Sequence, residues 1–253
     1  MLTPSSAYQT EHNKSSRTPI YQVRLHVRHP LDSTLVAGLK GYWRLDESSG
    51  VRYDAIGLGN LQDNNTVTQA VGKIGNAARF ASVNREYLSC SLPANSPLRT
   101  GDTDFAVGAW VYLETLSADQ VIISQYGRAI GFGLISGWKV FFDNGNQQFR
   151  FTIRDDQSPG TTKNLLASSF GTPSINTWYY VAAWHDSTAN LIKISVNDGA
   201  VDSLATAGIY PPSYIADPLM IGADNSGGTA LGEPANFMNG RIDEVSFWKT
   251  VFA

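Results

Sequence analysis

The chain has 253 residues, of which 42% are hydrophobic and 16% are charged, and this composition excludes a chain that is disordered throughout. Its 23 glycines and 11 prolines favour many short strands and turns over long helices. The net charge of −3, without a Lys/Arg block or a zinc-finger spacing, argues against nucleic-acid binding. No apolar run is long enough to predict a membrane span.

The first 38 residues form an N-terminal arm that differs in composition from the rest of the chain. Residues 1–18 are polar and rich in Ser and Thr, so we expect them to be flexible. Residues 20–27 alternate apolar and polar side chains, which predicts one strand. Residues 1–40 carry five Lys and Arg against two acidic residues, a net charge of +3. The rest of the chain carries 14 Lys and Arg against 20 acidic residues, a net charge of −6. We therefore expect the arm to bind an assembly partner, through a foreign sheet edge or an acidic groove. The alternative is that residues 20–27 pair with an edge of their own domain.

Residues 39–253 have the pattern of one large all-β domain. The predicted strands span 41–45, 77–81, 86–92, 104–113, 120–126, 131–135, 138–143, 147–154, 164–168, 177–185, 190–197, 200–206, 218–222 and 240–248. Strands at this spacing indicate a sandwich or a barrel. Asn144-Gly145-Asn146 and Asn197-Asp198-Gly199 predict two tight hairpins, because these residues supply positive φ angles.

Cys90 is the only cysteine, so no intrachain disulfide can form. It alternates with Leu88 and Leu92, which predicts a small core residue. The N-terminus lacks the charged head and apolar stretch of a signal peptide, so we expect no classical export route. A protein that acts outside the cell without one is assembled inside it, as virions are, or belongs to a longer chain. The expected location is therefore extracellular or on a virion surface.

Four segments of the body carry a family resemblance: GYWRLDESSG at 41–50, YDAIGLGN at 53–60, GKIGNAARF at 72–80 and GRIDEVSFW at 240–248. In this order they resemble the laminin-G-like jelly rolls of the concanavalin A-like lectin and glucanase superfamily. The resemblance implies a two-sheet antiparallel jelly-roll β-sandwich in which the first and last body strands lie side by side. It also implies a binding or adhesive role in most members, with hydrolases as a minority.

A structural calcium site is the metal hypothesis. Calcium prefers six to eight oxygen ligands, which a loop such as Asp54-x-x-Gly57-x-Gly59-Asn60 can present. The resemblance implies that Asp243, in the closing strand, lies near the first strand and completes a site with Asp54 and Asn60. The alternative is that Asp54 and Asn60 form Asx turns and that Asp243 binds backbone amides.

Aromatic residues at strand edges are the candidates for stacking against sugar rings. Tyr126, Trp138 and Tyr214 lie at such edges, beside Gly, Ser or Pro. Packing in the core or at its rim is the alternative for all three. Four other tryptophans lie within apolar strands and are assigned to the core: Trp43, Trp110, Trp178 and Trp248.

Enzymatic activity is not expected, and no catalytic residue is assigned. Glucanases of the superfamily that this sequence resembles carry the motif Glu-x-Asp-x-x-Glu on one strand. The sequence does not contain this motif. Asp243 and Glu244 are adjacent on a predicted strand and should face opposite sides of the sheet.

The predicted function is a non-catalytic module that binds a glycan or a surface protein. It is displayed on a particle or cell surface and docked through its arm, and a homo-oligomer is a further option. One alternative is a structural decoration or tail subunit of a virion that binds no sugar. Another is a glycoside hydrolase.

Overall fold

The computed structural model describes residues 37–128, 135–157, 159–212, 217–227 and 232–252. The described residues form seventeen strands and one short 3-10 helix, Ser82–Asn84. The strands are β1 Leu39–Trp43, β2 Gln62–Asn64, β3 Thr68–Val71, β4 Asn76–Phe80, β5 Tyr87–Cys90, β6 Phe105–Leu113, β7 Gln120–Arg128, β8 Ile135–Asp143, β9 Gln148–Arg154, β10 Thr162–Leu166, β11 Trp178–Asp186, β12 Leu191–Val196, β13 Asp202–Ala205, β14 Leu219–Ile221, β15 Asp224–Gly227, β16 Glu233–Ala235 and β17 Gly240–Trp248.

The arm predicted at 1–38 lies outside the described residues except for Ala37 and Gly38, and its strand at 20–27 lies wholly outside them. Most of the strand predicted at 131–135 also lies outside. No helix in the described part of the chain is long and apolar enough to cross a membrane.

The strands form two sheets. The eight-stranded sheet has the order β13-β12-β11-β6-β17-β4-β3, with β1 paired to β17. The nine-stranded sheet has the order β10-β9-β8-β7-β14-β5-β2, and the β15–β16 hairpin joins it at β7. All pairings within the two main paths are antiparallel, while β15 pairs with β7 in parallel. This is the two-sheet antiparallel sandwich that the sequence predicts.

Strand β17 links the two ends of the domain. One of its edges pairs with β6, and the other pairs with β4 through residues 240–242 and with β1 through residues 245–248. The prediction that the first and last body strands lie side by side is therefore confirmed. A bulge interrupts the pairing with β6 between Asp243 and Ser246.

The core lies between the sheets and is built from alternate side chains of the long strands. Trp43 is fully buried in it, and its indole N–H donates a hydrogen bond to the carbonyl of Gly59 at 2.7 Å. Cys90 is also buried there, and burial raises the pKa of its thiol, as expected of a core cysteine. The large apolar residues of β6, β8 and β9 belong to the same core.

The two predicted hairpins differ in how they turn. Asn197 and Asp198 have φ angles of 55° and 57°, and Gly199 donates its backbone N–H to Val196, as the prediction requires. Between β8 and β9 the residue with positive φ is Gln147, at 55°, and not one of the three predicted turn residues. A four-residue loop at 144–147 places its left-handed residue last, just before β9.

Candidate functional site

The outer face of the nine-stranded sheet carries a connected set of polar and aromatic side chains. Alternate residues of β8 and β9 belong to the core: Trp138, Val140, Phe142, Phe149, Phe151 and Ile153. The intervening residues lie on the outer face, because side chains alternate along a strand. They are Gly137, Lys139, Phe141 and Asp143 of β8 and Gln148, Arg150, Thr152 and Arg154 of β9. We call these eight residues, together with Tyr126 and Asp224, the polar face.

Lys139 and Asp224 form a buried ion pair on the polar face. The Nζ atom of Lys139 lies 2.7 Å from Oδ2 of Asp224, whose side chain is fully buried. The carboxylate also accepts hydrogen bonds from Ser226 Oγ at 2.6 Å and from Asn236 Nδ2 at 3.0 Å. A buried ion pair is tolerated when such additional bonds satisfy its remaining lone pairs. The pair therefore ties the β15–β16 hairpin to β8.

Two aromatic rings flank the Lys139 ammonium group. Its Nζ atom lies 4.6 Å from the ring centroid of Phe141 and 4.9 Å from that of Tyr126. Both distances allow a cation–π interaction, which is stronger when the cation is withdrawn from water. The rings and the ion pair thus form one packed unit.

Arg150 and Asp143 form the second ion pair of the polar face, at 2.5 Å. Burial alone would raise the pKa of Asp143, but hydrogen bonds from Arg150 and Asn146 hold it below its usual value. The Arg150 guanidinium also lies 5.6 Å from the ring centroid of Phe141. Asp143 is therefore an ionised acceptor and not a proton donor near neutral pH.

Tyr126 and Arg154 lie on opposite sides of Gly137. Tyr126 pairs with Gly137 across β7 and β8, and Gly137 pairs with Arg154 across β8 and β9. Burial raises the pKa of Tyr126, and the positive charge of Arg154 opposes that rise. The Arg154 guanidinium thus interacts electrostatically with the Tyr126 side chain across Gly137, a position that has no side chain.

The three aromatic residues predicted from the sequence have different positions. Tyr126 is largely buried on the polar face. Trp138 has no exposed surface and packs in the core against Phe105 and Phe247 at ring-centroid distances of 5.3 and 6.1 Å. Its assignment as a sugar-stacking residue is therefore wrong, because the alternation of β8 turns it inward. Tyr214 lies outside the described residues.

Asp54 organises its own loop. Its Oδ1 accepts the backbone N–H groups of Tyr42 and Ile56, both at 2.9 Å, and its Oδ2 accepts those of Leu58 and Gly59 at 2.9 and 3.0 Å. Asn60 accepts the backbone N–H of Asp54 through Oδ1 at 3.0 Å. These are the Asx-type contacts that the sequence gives as the alternative to calcium, and both oxygens of the Asp54 carboxylate take part in them.

Asp243 fits a cation better than Asp54 does. Its Oδ2 accepts the backbone N–H groups of Lys73 and Ile74, at 2.8 and 2.9 Å, while its Oδ1 is buried without a hydrogen-bond partner. Burial, with the neighbouring Glu244 and Asp46, raises the pKa of Asp243 to about 7. Among the described residues no group of three or more His, Cys, Asp or Glu side chains is arranged for a metal ion. Calcium at Asp54, Asn60 and Asp243 thus stays a prediction, with Asp243 as the residue that supports it.

The bulge in β17 changes the expected orientation of Glu244. Glu244 has a φ of 53°, and its carboxylate accepts a hydrogen bond from the Tyr42 hydroxyl. Tyr42 pairs with Ser246 and Asp243 pairs with Trp110, so the two acidic residues share the outer face of the eight-stranded sheet. The expectation that they face opposite sides is wrong, because the bulge inserts a residue into the alternation.

Two tryptophans assigned to the core also lie on that outer face. Trp110 and Trp178 are half-buried and pack against Tyr180 and Tyr112, at ring-centroid distances of 5.4 and 5.3 Å. Trp43 and Trp248 are buried, as expected.

Sequence reasoning missed Lys139, Arg150, Arg154 and Asp224. For the first three, a signal exists in the alternation of large apolar and polar side chains along 138–143 and 148–154. For Asp224 there is no such signal, because β15 is a short polar segment, Asp-Asn-Ser-Gly.

Comparison with known proteins supports the fold. The family model described as Laminin_G_3, of the concanavalin A-like lectin/glucanases superfamily, matches residues 85–253. No curated protein sequence is significantly similar to this chain.

Several solved structures have the same fold at low sequence identity. The binding domain of Paraclostridial Mosquitocidal Protein 1 aligns with a TM-score of 0.62 and 13% identity, over 86% of this chain and 50% of that one. The binding domain of botulinum neurotoxin serotype D aligns with a TM-score of 0.58 and 12% identity, over 87% and 50%. This chain thus spans about half the length of the two toxin binding domains.

A third structure is covered almost completely. Domain 4 of AbnA, a GH43 extracellular arabinanase from Geobacillus stearothermophilus, in complex with arabinotriose, aligns with a TM-score of 0.55 and 17% identity, over 85% of this chain and 94% of that one. At these identities the likeness shows the fold alone. Together with the family match over more than half of its length, the sandwich identifies this chain as a member of the concanavalin A-like lectin/glucanases superfamily.

Proposed function

We propose that this chain is a non-catalytic glycan-binding module and that the polar face is its binding surface. The observation that carries the proposal is the combination of two aromatic rings with oriented, paired polar side chains on one sheet face. Sugar rings present both C–H surfaces, which pack on aromatic rings, and hydroxyl groups, which bond to fixed donors and acceptors. The AbnA domain in complex with arabinotriose shares the fold over nearly its whole length and supports this class of ligand.

The ion pairs prepare the polar face for hydroxyl groups. Lys139 and Arg150 are held by Asp224 and Asp143, so their donors and acceptors are oriented before a ligand arrives. Such preorganisation lowers the entropy cost of binding. The side chains of Gln148 and Arg150 are half-buried, and Asn164 of the adjacent β10 is exposed, so polar groups remain accessible around the buried pairs.

On the polar face, the state of the carboxylates favours binding over hydrolysis. A glycosidase of the common two-carboxylate type needs one carboxyl group with a raised pKa as the acid and a second as nucleophile or base. On the polar face Asp224 and Asp143 are each engaged by a cation, and the pKa of Asp143 is lowered. We therefore assign the polar face to recognition.

Docking of the module through its N-terminal arm is the second part of the proposal. The net charge of +3 in residues 1–40, against −6 in the remainder, supports an acidic partner surface for the arm. Display on a virion or cell surface is part of the same proposal. Deletion of residues 1–30 should abolish incorporation into the assembly while glycan binding persists, and normal assembly of the truncated protein would overturn the docking idea.

The test of glycan binding compares two outer faces. Wild-type protein is applied to a glycan array, and its best ligand is then titrated by calorimetry against Arg150→Gln on the polar face and Lys193→Gln on the eight-stranded sheet. Both variants remove a cation paired with an aspartate. We expect weaker binding only for Arg150→Gln. Wild-type-like binding by Arg150→Gln, or a wild-type protein that binds no glycan on the array, would refute the proposal.

A structural subunit that contacts protein is the second candidate, and one observation favours it. Tyr53, Ile56 and Leu58 are 63%, 39% and 44% exposed, on the loop that Asp54 holds in place. Three exposed apolar side chains on an ordered loop are typical of a protein contact. Under this alternative, Ile56→Ser would weaken assembly, and glycan binding would be absent.

A further inference from the structure

Arg154 differs from the other cations of the polar face in its partners. Lys139 and Arg150 are each paired with an aspartate. Arg154 donates from Nη1 to Thr162 Oγ1 at 3.1 Å and from Nη2 to the Pro159 carbonyl at 3.3 Å, and both acceptors are neutral. Its Nε atom is buried without a hydrogen-bond partner. In the described part of the chain, Arg154 thus carries a charge that no carboxylate within ion-pair distance balances.

The carboxylate next to Arg154 in sequence and the two carboxylates of the polar face have other partners. Asp155, the next residue, accepts the backbone N–H of Thr161 at 2.7 Å. Asp143 and Asp224 hold Arg150 and Lys139. The three cations and two carboxylates of the polar face therefore leave one positive charge in excess, and it resides on Arg154.

The position of Arg154 relative to Tyr126 suits a sugar ring. The two residues are separated by one strand, with Gly137 between them, so their Cα atoms lie about 10 Å apart, two strand spacings. Gly137 contributes no side chain to this interval. A ring bound across it has an aromatic side chain at one end and a guanidinium at the other.

We propose that the polar face selects an acidic sugar and that Arg154 binds its carboxylate. This inference rests on the proposed glycan-binding function and names its ligand class. A guanidinium has five N–H donors, and its planar fork matches a carboxylate in a two-bond geometry. Two of the donors bond Thr162 and Pro159, which fix the fork in place. Because the Nε–H is buried, an anion would bond the second N–H group of each Nη atom. A neutral sugar would gain only ordinary hydrogen bonds from the same group.

The competing role for Arg154 is to fasten the segment that joins β9 to β10. Gly160 packs against the guanidinium so closely that a Cβ atom there would lie 2.9 Å from Nη2. A purely structural arginine would affect acidic and neutral ligands equally. The selectivity between matched ligands therefore separates the two roles.

The experiment titrates full-length protein with two matched pairs of probes: sialyllactose against lactose, and trigalacturonate against its methyl ester. The variants are Arg154→Gln, Arg154→Lys and Thr162→Val, which removes one bond to Arg154 but keeps its charge. We expect wild type to prefer the acidic member of a pair. Arg154→Gln should weaken acidic binding about tenfold to a hundredfold and weaken neutral binding much less, while Arg154→Lys should lose less of the acidic binding. Thr162→Val should keep the preference.

Melting curves of each variant show whether it is folded at the temperature of the titration. Equal loss of acidic and neutral binding in a folded Arg154→Gln would overturn the inference and leave glycan binding intact. Equal affinity of wild type for both members of each pair would also overturn the inference and leave glycan binding intact. If wild type binds no glycan of any kind, the proposed function itself fails.

Discussion

At the scale of single residues, the buried ion pair of Lys139 and Asp224 is the feature that sequence composition least suggests. A charged side chain inside a strand of large apolar residues is costly, and it persists because the carboxylate has three partners and the ammonium lies between two rings. Removal of one member leaves the other buried without its counter-charge.

We predict that Lys139→Met lowers the free energy of unfolding by about 3–5 kcal/mol, because Asp224 is left buried and unpaired. The double variant Lys139→Met/Asp224→Asn should recover part of this loss. Urea unfolding at neutral pH measures both, with Lys163→Met on the half-buried edge strand β10 as the control. If Lys139→Met costs no more than the control, the ion pair has no role in stability.

At the scale of elements, the turn between β8 and β9 depends on Asp143. Its carboxylate accepts the backbone N–H of Asn146 at 3.1 Å and the side-chain amide of Asn146 at 3.0 Å, and it pairs with Arg150. One acidic group thus closes the turn and orients a side chain of the polar face. Because these bonds require the ionised form, the turn is sensitive to acid.

The pH dependence follows from the lowered pKa of Asp143. Its hydrogen bonds with Arg150 and Asn146 lower the pKa by more than burial raises it. A group with a lowered pKa in the folded state stabilises above its unfolded value of about 3.9 and loses that contribution as pH falls. Wild type should therefore lose stability below about pH 4 more steeply than Asp143→Asn, which is less stable at pH 7. Urea unfolding at several pH values tests this. Arg150→Gln, like Asp143→Asn, should lose stability less steeply than wild type below about pH 4. Parallel profiles for all three proteins would contradict it.

The long strands could be predicted from the sequence, because each buries one full row of apolar side chains. Strand β17 was predicted with the observed bounds, 240–248, and β6 differs by one residue at its start. Strands β2, β3, β15 and β16 were not predicted, since they have three or four residues and few buried side chains. Such segments become strands through the neighbours they pair with, and the pairing is not encoded within the segment.

The candidate site was predictable in part for the same reason. Tyr126 can be identified by its aromatic side chain and its place at a strand edge. Trp138 has the same two sequence features, but it faces the core. The difference between them depends on the register of β7 and β8, including the shift between Val121 and Ile123. One residue of register moves a side chain to the other face, and periodicity within a single strand does not fix it.

At the scale of the whole molecule, the seventeen strands described here begin at Leu39, after the predicted arm. We predict that residues 37–253 alone melt cooperatively and keep the near-ultraviolet circular dichroism of the full chain. A truncated protein that binds hydrophobic dye and lacks that signal would show that the arm is needed for specific packing.

The calcium hypothesis is also tested on the whole domain. Asp243 joins β17 to the segment at 72–76 and keeps one buried oxygen without a partner. A ligand of the native state at about 100 times its dissociation constant adds about 2.7 kcal/mol, so a chelator should lower the melting temperature. Asp243→Ala should abolish that response, while Asp186→Ala should retain it. An identical wild-type melting curve with and without chelator would remove the metal hypothesis.

The position of β17 also sets the order in which the domain can be completed during synthesis. The hydroxyl of Tyr42 bonds Glu244, 202 residues later, and β1, β4 and β6 all pair with β17. Until residues 240–248 emerge, β6 has an open edge, β1 lacks its partner, and the β3–β4 hairpin has one unpaired edge. The nascent chain therefore holds strand edges of the kind that join other chains. Contacts this distant in sequence form slowly. Production in the cell is therefore expected to depend on chaperones that cover this edge, and a chain that ends before residue 240 should accumulate in aggregates.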